Sequence, residues 1–197
     1  MDLISMKLSL KHQFCGAVIL SVVGVFAAGC AAEGVNGSEE VAETSSELRP
    51  EWSTAEVNIR HDDIGSTDFK TLKVAKNTGF DRSVFHFSND GVPGYRVRYV
   101  ATPQICAGEG ELEVQGNAFI EVQMMPAQSY DDETQKPTYS PATIVDFKPN
   151  LASVKHLKMS CPGFEAETSY VIGVSAKKNF RVLELKNPPR LVVDVQQ

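Results

Sequence analysis

The chain has 197 residues, and 22% of them are charged, with 25 acidic and 19 basic side chains and a formal net charge of −6 at pH 7. This acidic balance argues against nucleic acid, and against an anionic membrane surface, as the main partner. The sequence has no internal repeat and no heptad pattern.

The first 29 residues are predicted to be a lipoprotein signal peptide. A weakly basic leader precedes an uncharged run of apolar and small residues at 14–29. The run is shorter than the ~20 residues that a helix needs to span a bilayer. It ends in small residues, as cleaved signal peptides do.

Cys30 is the predicted site of lipid attachment. Residues 27–30 ("AAGC") resemble the bacterial lipobox, which implies cleavage after Gly29 and lipidation of the Cys30 thiol. Several acyl chains on one residue would anchor the protein durably to a membrane on its exported side. The alternative is an ordinary secretory signal, in which Cys30 has no special role.

Residues 30–52 are predicted to be a flexible acidic tether. They are rich in Glu, Ser, Gly and Ala and have no hydrophobic period, so they cannot bury enough apolar surface to order themselves. Residues 53–197 then form one domain, which is long enough to build a core of its own.

Cys106 and Cys161 are the two cysteines that remain in this domain. An even pair in an exported chain predicts a disulfide. Closing a loop of this length would stabilise the fold by up to ~4 kcal/mol in the chain-entropy model. The alternative is two separate buried thiols.

Nearly every segment of the domain alternates apolar and polar residues with a period of two, which indicates strands. Seven or eight short strands with little helix predict an all-β fold, either an antiparallel β-sandwich or an open barrel. The alternating segments are residues 72–74, 82–88, 94–100, 118–125, 157–159, 166–175, 180–186 and 190–195.

Residues 79–100 ("GFDRSVFHFSNDGVPGYRVRYV") are predicted to fold as a hairpin plus a third strand. Phe85 and Phe87 share one face of their strand. The "NDG" triplet tolerates positive φ and predicts a tight turn. In "GYRVRYV", Arg96 and Arg98 lie on the face opposite the two tyrosines, so the core is expected to take the tyrosines.

Residues 126–150 carry four prolines and clustered polar residues. They are predicted to form one long loop outside the sheets. A loop of that length in a compact domain is more often functional than not.

Three short motifs carry a resemblance to a known family. They are residues 79–82 ("GFDR"), 93–95 ("PGY") and 188–194 ("PPRLVVD"). With them, the segment from about residue 57 to 195 resembles the AMIN-like domain of bacterial envelope lipoproteins. The resemblance implies a β-sandwich in the cell envelope. AMIN modules of cell-wall amidases and secretins direct proteins to the envelope, and some bind peptidoglycan.

No catalytic signature is present: the chain lacks a Gly-x-Ser-x-Gly elbow, a His-Glu-x-x-His motif and a phosphate-binding glycine loop. We therefore predict no enzyme activity, no cofactor and no metal site. His61, in "RHDDIGS", is expected to lie in a solvated acidic loop, since no spaced set of further ligands accompanies it.

The candidate ligand-binding residues are Arg96, Arg98, Tyr130 and Tyr139. Guanidinium groups pair with carboxylates, which peptidoglycan stems offer. Tyr130 and Tyr139 lie in the long loop and could present flat platforms to a sugar ring. The alternative is that Arg96 and Arg98 pair with Glu or Asp across the sheet, a contact worth little when it is exposed.

Asp81, Arg82, Arg190 and Asp194 are assigned a structural role, in which they fix a turn and an edge strand. The sequence thus predicts a lipid-anchored, non-enzymatic envelope module that binds cell-wall glycan. The alternative is a scaffold lipoprotein that docks on another envelope protein by strand addition or loop capture.

Overall fold

The computed structural model describes residues 50–88, 90–108, 110–131, 133–134, 136–140 and 145–197. The predicted signal peptide, Cys30 and the predicted tether up to residue 49 lie outside the described residues. The regular secondary structure of the described residues is nearly all β-strand, with mostly antiparallel pairing, so the predicted all-β sandwich is confirmed.

The first sheet has six strands. Every pair of neighbouring strands in it is antiparallel. In spatial order they are β1 (Val57–Ile59), β4 (Gly94–Val100), β5 (Ala118–Met125), β11 (Glu167–Val174), β10 (Val154–Phe164) and β9 (Asp146–Phe147).

The second sheet has five strands, and the last two in its spatial order are parallel to each other. In spatial order they are β12 (Phe180–Leu185), β13 (Arg190–Gln196), β3 (Phe80–Phe87), β2 (Thr67–Asn77) and β6 (Ala127–Gln128). A small separate pair consists of β7 (Tyr130–Asp131) and β8 (Lys136–Pro137), and a short 3-10 turn spans Cys106–Gly108.

One hydrophobic core lies between the inner faces of the two sheets. The alternation in the sequence predicts the two faces of β3 correctly: Phe85 and Phe87 are buried, whereas Arg82 and His86, on the opposite face, are only partly covered. Tyr170 lies in the centre of the core, with the rings of Phe85 and Phe69 at 5.4 and 5.6 Å. Burial of these large aromatic side chains supplies much of the driving force for folding.

The hairpin predicted across the "NDG" triplet is wrong, because β3 and β4 lie in different sheets. The hairpin that β3 forms is with β2, through the turn at Thr78 and Gly79. The residues after β3 lead across the sandwich, and the Thr67 hydroxyl holds this connection through hydrogen bonds to Ser88 and to the Gly91 carbonyl.

The segment 126–150 does not lie wholly outside the sheets, as the sequence predicted. Its strand β6 extends the second sheet beside β2, and its strand β9 extends the first sheet beside β10. Each of these strands pairs over only two residues, which is too short to leave a periodic pattern in the sequence. The segment therefore covers one edge of each sheet.

The predicted disulfide is confirmed. Cys106 is bonded to Cys161, with their Cα atoms 5.0 Å apart, which is within the usual range. The bond attaches the connection after β4 to strand β10, so a segment with little regular structure is fixed to the first sheet.

Asp81 is a buried carboxylate that joins the two sheets. It lies on the inner face of β3, is fully buried, and accepts backbone N–H bonds from Ser153 at 2.7 Å and Val154 at 3.0 Å. Its other oxygen accepts a bond from the Gln197 side chain at 2.9 Å. Buried polar groups are costly unless they are paired. The Asp81 carboxylate needs these donors, and the N–H groups of Ser153 and Val154 need Asp81 as their acceptor.

Asp194 is a second buried carboxylate, on the outer face of the second sheet. Arg82 donates to it twice, at 2.7 and 2.9 Å, and Arg181 donates once, at 2.9 Å. The guanidinium of Arg181 lies 4.5 Å from the centre of the Trp52 ring. The two guanidinium groups thus neutralise the buried carboxylate of Asp194, and the Trp52 ring packs on one of them.

The edge-strand role expected of Arg190 and Asp194 is wrong. Strand β13 lies between β12 and β3, so it is an interior strand of the sheet. Arg190 does not pair with Asp194; its Nε donates to the Pro188 carbonyl at 3.1 Å.

Asp81→Ala is expected to lower the free energy of unfolding by about 3 kcal/mol, because it leaves two buried N–H groups without an acceptor. The measurement is urea denaturation at neutral pH. Asp131→Ala, at an exposed carboxylate that accepts a bond from the Thr134 N–H, is the control and should cost no more than about 1 kcal/mol. Equal losses in the two variants would contradict the role given to Asp81.

Candidate functional site

Arg96 lines a cleft of about 530 Å³ at one end of the first sheet. We call it the Arg96 cleft. Strands β1, β4 and β5 meet there with the connection after β1 and the turn between β10 and β11. Among its lining residues are Ile59, Arg60, Arg96, Gln123, Met125 and Pro126.

The apolar part of the Arg96 cleft is unusually open to solvent. Ile59 is 38% exposed and Met125 is 47% exposed, and both belong to the few large hydrophobic side chains that the described surface presents. Gly94 lies between them: a Cβ there would come within 2.9 Å of the Met125 carbonyl oxygen and 3.3 Å of that of Ile59. The absence of a side chain at Gly94 thus allows β1 and β5 to pack closely on either side of β4, and no side chain fills the cleft at this point.

Arg96 is one of four charged residues that line the cleft, with Arg60, Asp62 and Glu165. It donates to Glu56 through two nitrogens, at 2.8 and 3.0 Å, and both side chains are 38% exposed. The bonds from Arg96 hold the pKa of the Glu56 carboxyl below its usual value, and the same pair raises the pKa of Arg96. In the sheet, Arg96 lies opposite Gln123, whose amide donates to Glu167 at 2.8 Å.

Arg98 lies outside the Arg96 cleft. It shares the outer face of β4 with Arg96 and donates to Glu121 on the neighbouring strand at 2.9 Å. Arg98 thus pairs with a glutamate on the neighbouring strand and Arg96 with the glutamate just before β1, which is close to the alternative that the sequence left open. Because such exposed pairs are weak, Arg96 can exchange Glu56 for a ligand carboxylate at small cost.

His61 lies in the loop after β1, and Asp62 and Asp63 beside it are exposed, as the sequence predicted, but the His61 side chain itself is partly covered. Its side chain is 22% exposed and lies between the Arg96 cleft and a second cleft of about 380 Å³. Its Nδ1 is 2.7 Å from the Val92 carbonyl oxygen, and its Nε2 is 3.3 Å from Glu184. The Tyr95 hydroxyl donates to the same Glu184 oxygen at 2.9 Å.

This contact between His61, Tyr95 and Glu184 ties β4 to β12, across the two sheets. Burial is the main cause that raises the pKa of Tyr95, and the charge of Glu184 adds to it. Both ring nitrogens of His61 face oxygen acceptors. This cluster was not predictable from the sequence, because Glu184 comes from a strand that is remote from His61 in the chain.

The two tyrosines predicted for ligand binding lie away from the Arg96 cleft. Tyr139 packs against the core, with its ring 6.2 Å from that of Phe69, so it is not the open platform that was expected. Tyr130 is 36% exposed in β7 and lines a small groove with Asp68 and Asp131. Of the four predicted residues, only Arg96 lines the cleft.

Two further findings concern the described residues alone. They contain no group of three or more His, Cys, Asp or Glu side chains arranged to hold a metal ion. They also contain no helix with the length and apolar character needed to cross a membrane.

Comparison with known proteins gives one match. A sequence model of the AMIN-like domain matches residues 67–197. No curated protein and no solved structure matches the chain. The matched range holds β2 to β13, including Arg96, Gln123 and Met125, whereas Glu56, Ile59 and His61 precede it. The Arg96 cleft thus combines residues of the matched domain with residues of the segment before it.

Replacing Arg96 by Gln is expected to raise the pKa of Glu56 towards its ordinary value, because hydrogen bonds from Arg96 are the main cause of its low pKa. Arg98→Gln is the control and should change the Glu56 pKa much less, since Arg98 contributes only a weak charge effect. The measurement is an NMR titration of the Glu56 carboxyl carbon. Equal shifts in the two variants would show that the Arg96–Glu56 pair does not form in solution.

Proposed function

The chain belongs to the AMIN-like domain family, and we propose that it is a non-enzymatic envelope module that binds cell-wall glycan through the Arg96 cleft. AMIN-like domains are generally non-catalytic binding modules and occur in envelope and periplasmic proteins. The family thus supports a place in the cell envelope, and the proposal concerns the ligand and the surface that binds it.

The observation that carries this proposal is the composition of the Arg96 cleft. Two arginines, a side-chain amide and two exposed apolar side chains, Ile59 and Met125, line one cleft, together with two acidic residues at its rim. Its volume is within the range of about 300–1,000 Å³ that is typical of small-molecule sites. Few other large hydrophobic side chains are exposed on the described surface.

Peptidoglycan offers a complementary group for each part of this cleft. The stem peptide carries carboxylates, which a guanidinium binds through paired hydrogen bonds. The faces of the sugar rings present C–H groups, which can pack on Ile59 and Met125. The acetamido groups and hydroxyls can exchange hydrogen bonds with Gln123, which has both a donor and an acceptor.

Attachment to a membrane is the second part of the proposal. Residues 1–29 are a lipoprotein signal peptide, Cys30 carries the lipid, and the predicted tether leads to the binding domain. The lipobox-like "AAGC" sequence supports this arrangement. Trp52, the last residue of the predicted tether, packs on Phe80 and Arg181 and thus belongs to the domain.

A second candidate function, docking on another envelope protein, is favoured by the outer edge of β9. Strand β9 is the last strand of the first sheet, and Phe147 within it is 44% exposed. Val145, just before it, is 42% exposed. An edge strand with exposed apolar side chains can accept a strand from a partner.

The glycan proposal predicts that the purified protein sediments with isolated peptidoglycan sacculi. Arg96→Gln is expected to weaken this binding about tenfold, which corresponds to the loss of one charge-assisted hydrogen-bonded contact. The measurement is the bound fraction as a function of sacculus concentration. Arg98→Gln removes the same charge from the same strand outside the cleft, and it should bind like the parent.

Two results would contradict this account. If the parent protein does not sediment with sacculi, cell-wall glycan is not its ligand. If Arg96→Gln and the parent bind equally, the ligand occupies another surface. Circular dichroism of each variant is the check that the substitution leaves the sandwich folded.

A further inference from the structure

The outer face of the second sheet is basic, although the chain as a whole is acidic. Lys73 on β2, His86 on β3 and Arg190 on β13 form a cluster there, which we call the basic face. Arg190 lies directly opposite His86, and Thr71 lies opposite His86 on the other side, so Lys73 is its diagonal neighbour. Such positions place side chains about 5 Å and about 7–8 Å apart.

The charges of Lys73 and Arg190 are not neutralised within the described part of the protein. Neither cation forms an ion pair there, and Lys73 is exposed. The carboxylates on the same side of the sheet have partners of their own. Asp68 pairs with Lys70, and Asp194 binds both Arg82 and Arg181.

The pKa of His86 is sensitive to the positive charges of Lys73 and Arg190. Burial is the main cause that lowers the pKa of His86, and the charges of Lys73 and Arg190 lower it further. Both cations are therefore close enough to act on one point of the face. An anion placed above His86 would be within reach of both of them.

We propose that the basic face binds an anionic envelope polymer whose repeating units are joined by phosphodiesters. Guanidinium and ammonium groups both bind phosphate oxygens through charge-assisted hydrogen bonds. Because the cations project from neighbouring strands of a nearly flat sheet, an extended polymer can lie across them. Each repeat of such a polymer brings one negative charge, which complements the unbalanced positive charge.

The side chains around the cluster favour a polar polymer over a membrane surface. Val84 and Leu183, on the same face, are only partly exposed, and Val192 between them is fully buried. The large exposed hydrophobic side chains of the described surface lie on other elements, in β1, β5, β7 and β9 and beside β9. The basic face therefore lacks the apolar groups that insert into a bilayer.

This surface is separate from the Arg96 cleft, which belongs to the first sheet. The proposal does not depend on glycan binding, and the two ligands differ in chemistry. One protein could hold the glycan in its cleft while a phosphodiester polymer of the same wall lies on the opposite sheet.

The test is retention of the full-length protein, in a non-ionic detergent, on beads that carry poly(glycerol phosphate). The parent is expected to bind, and its binding should weaken steeply as salt is raised. Lys73→Gln/Arg190→Gln should bind about tenfold more weakly. Lys148→Gln/Lys177→Gln removes the same two charges elsewhere on the surface and should bind like the parent.

Three results would overturn the proposal. The first is no retention of the parent, and the second is equal loss in both double variants, which would reflect net charge alone. The third is retention on beads that carry phosphatidylglycerol but not on the polymer, which would assign the face to a membrane. If Lys73→Gln/Arg190→Gln fails to fold, Lys73→Gln alone, at an exposed position, should still bind about threefold more weakly, and unchanged binding would overturn the proposal.

Arg96→Gln should bind the polymer like the parent, because Arg96 lies on the other sheet. The test of the basic face is therefore independent of the glycan test.

Discussion

The buried carboxylate of Asp81 is the central polar contact that fixes the relative position of the two sheets. It projects inward from β3 and accepts the backbone N–H groups at the start of β10, so a strand of one sheet fixes the beginning of a strand of the other. The disulfide attaches the connection after β4 to β10 at Cys161. With β10 held in this way, the first sheet is aligned over the core, and the ends of β1, β4 and β5 come together as the Arg96 cleft.

The charged side chains on the two outer faces of the sandwich are paired differently, and the two faces therefore suit different ligands. On the first sheet, Arg96 and Arg98 each hold an exposed or partly exposed glutamate, so the pairs are weak and a ligand can exchange with them. On the second sheet, Asp194 is fully buried under two arginines, which fixes those groups in place. Lys73 and Arg190 remain available there. An exchangeable pair beside apolar side chains suits a glycan with carboxylates, whereas unbalanced cations on a flat sheet suit a phosphodiester polymer.

Alternation in the sequence predicted the strands, the buried faces of Phe85 and Phe87, and the outward position of Arg96 and Arg98, because one sheet face must be buried. The even count of cysteines in a domain that follows a predicted signal peptide predicted the disulfide. Strand order was not predictable, since β3 and β4 are adjacent in the chain and lie in different sheets. Strands β6 and β9 are too short for any period to appear. The contact between His61 and Glu184 arises only when β12 is folded onto its sheet, and local sequence carries no sign of it.

The central claim, that the Arg96 cleft receives cell-wall glycan, is tested most directly by an NMR titration of the ¹⁵N-labelled protein with a disaccharide-peptide fragment of peptidoglycan. The account predicts saturable shifts of the backbone and side-chain N–H signals around the cleft, above all those of Ile59, Gly94, Arg96, Gln123 and Met125. Shifts confined to other surfaces, such as the groove beside Tyr130, or no shifts at millimolar fragment would contradict it.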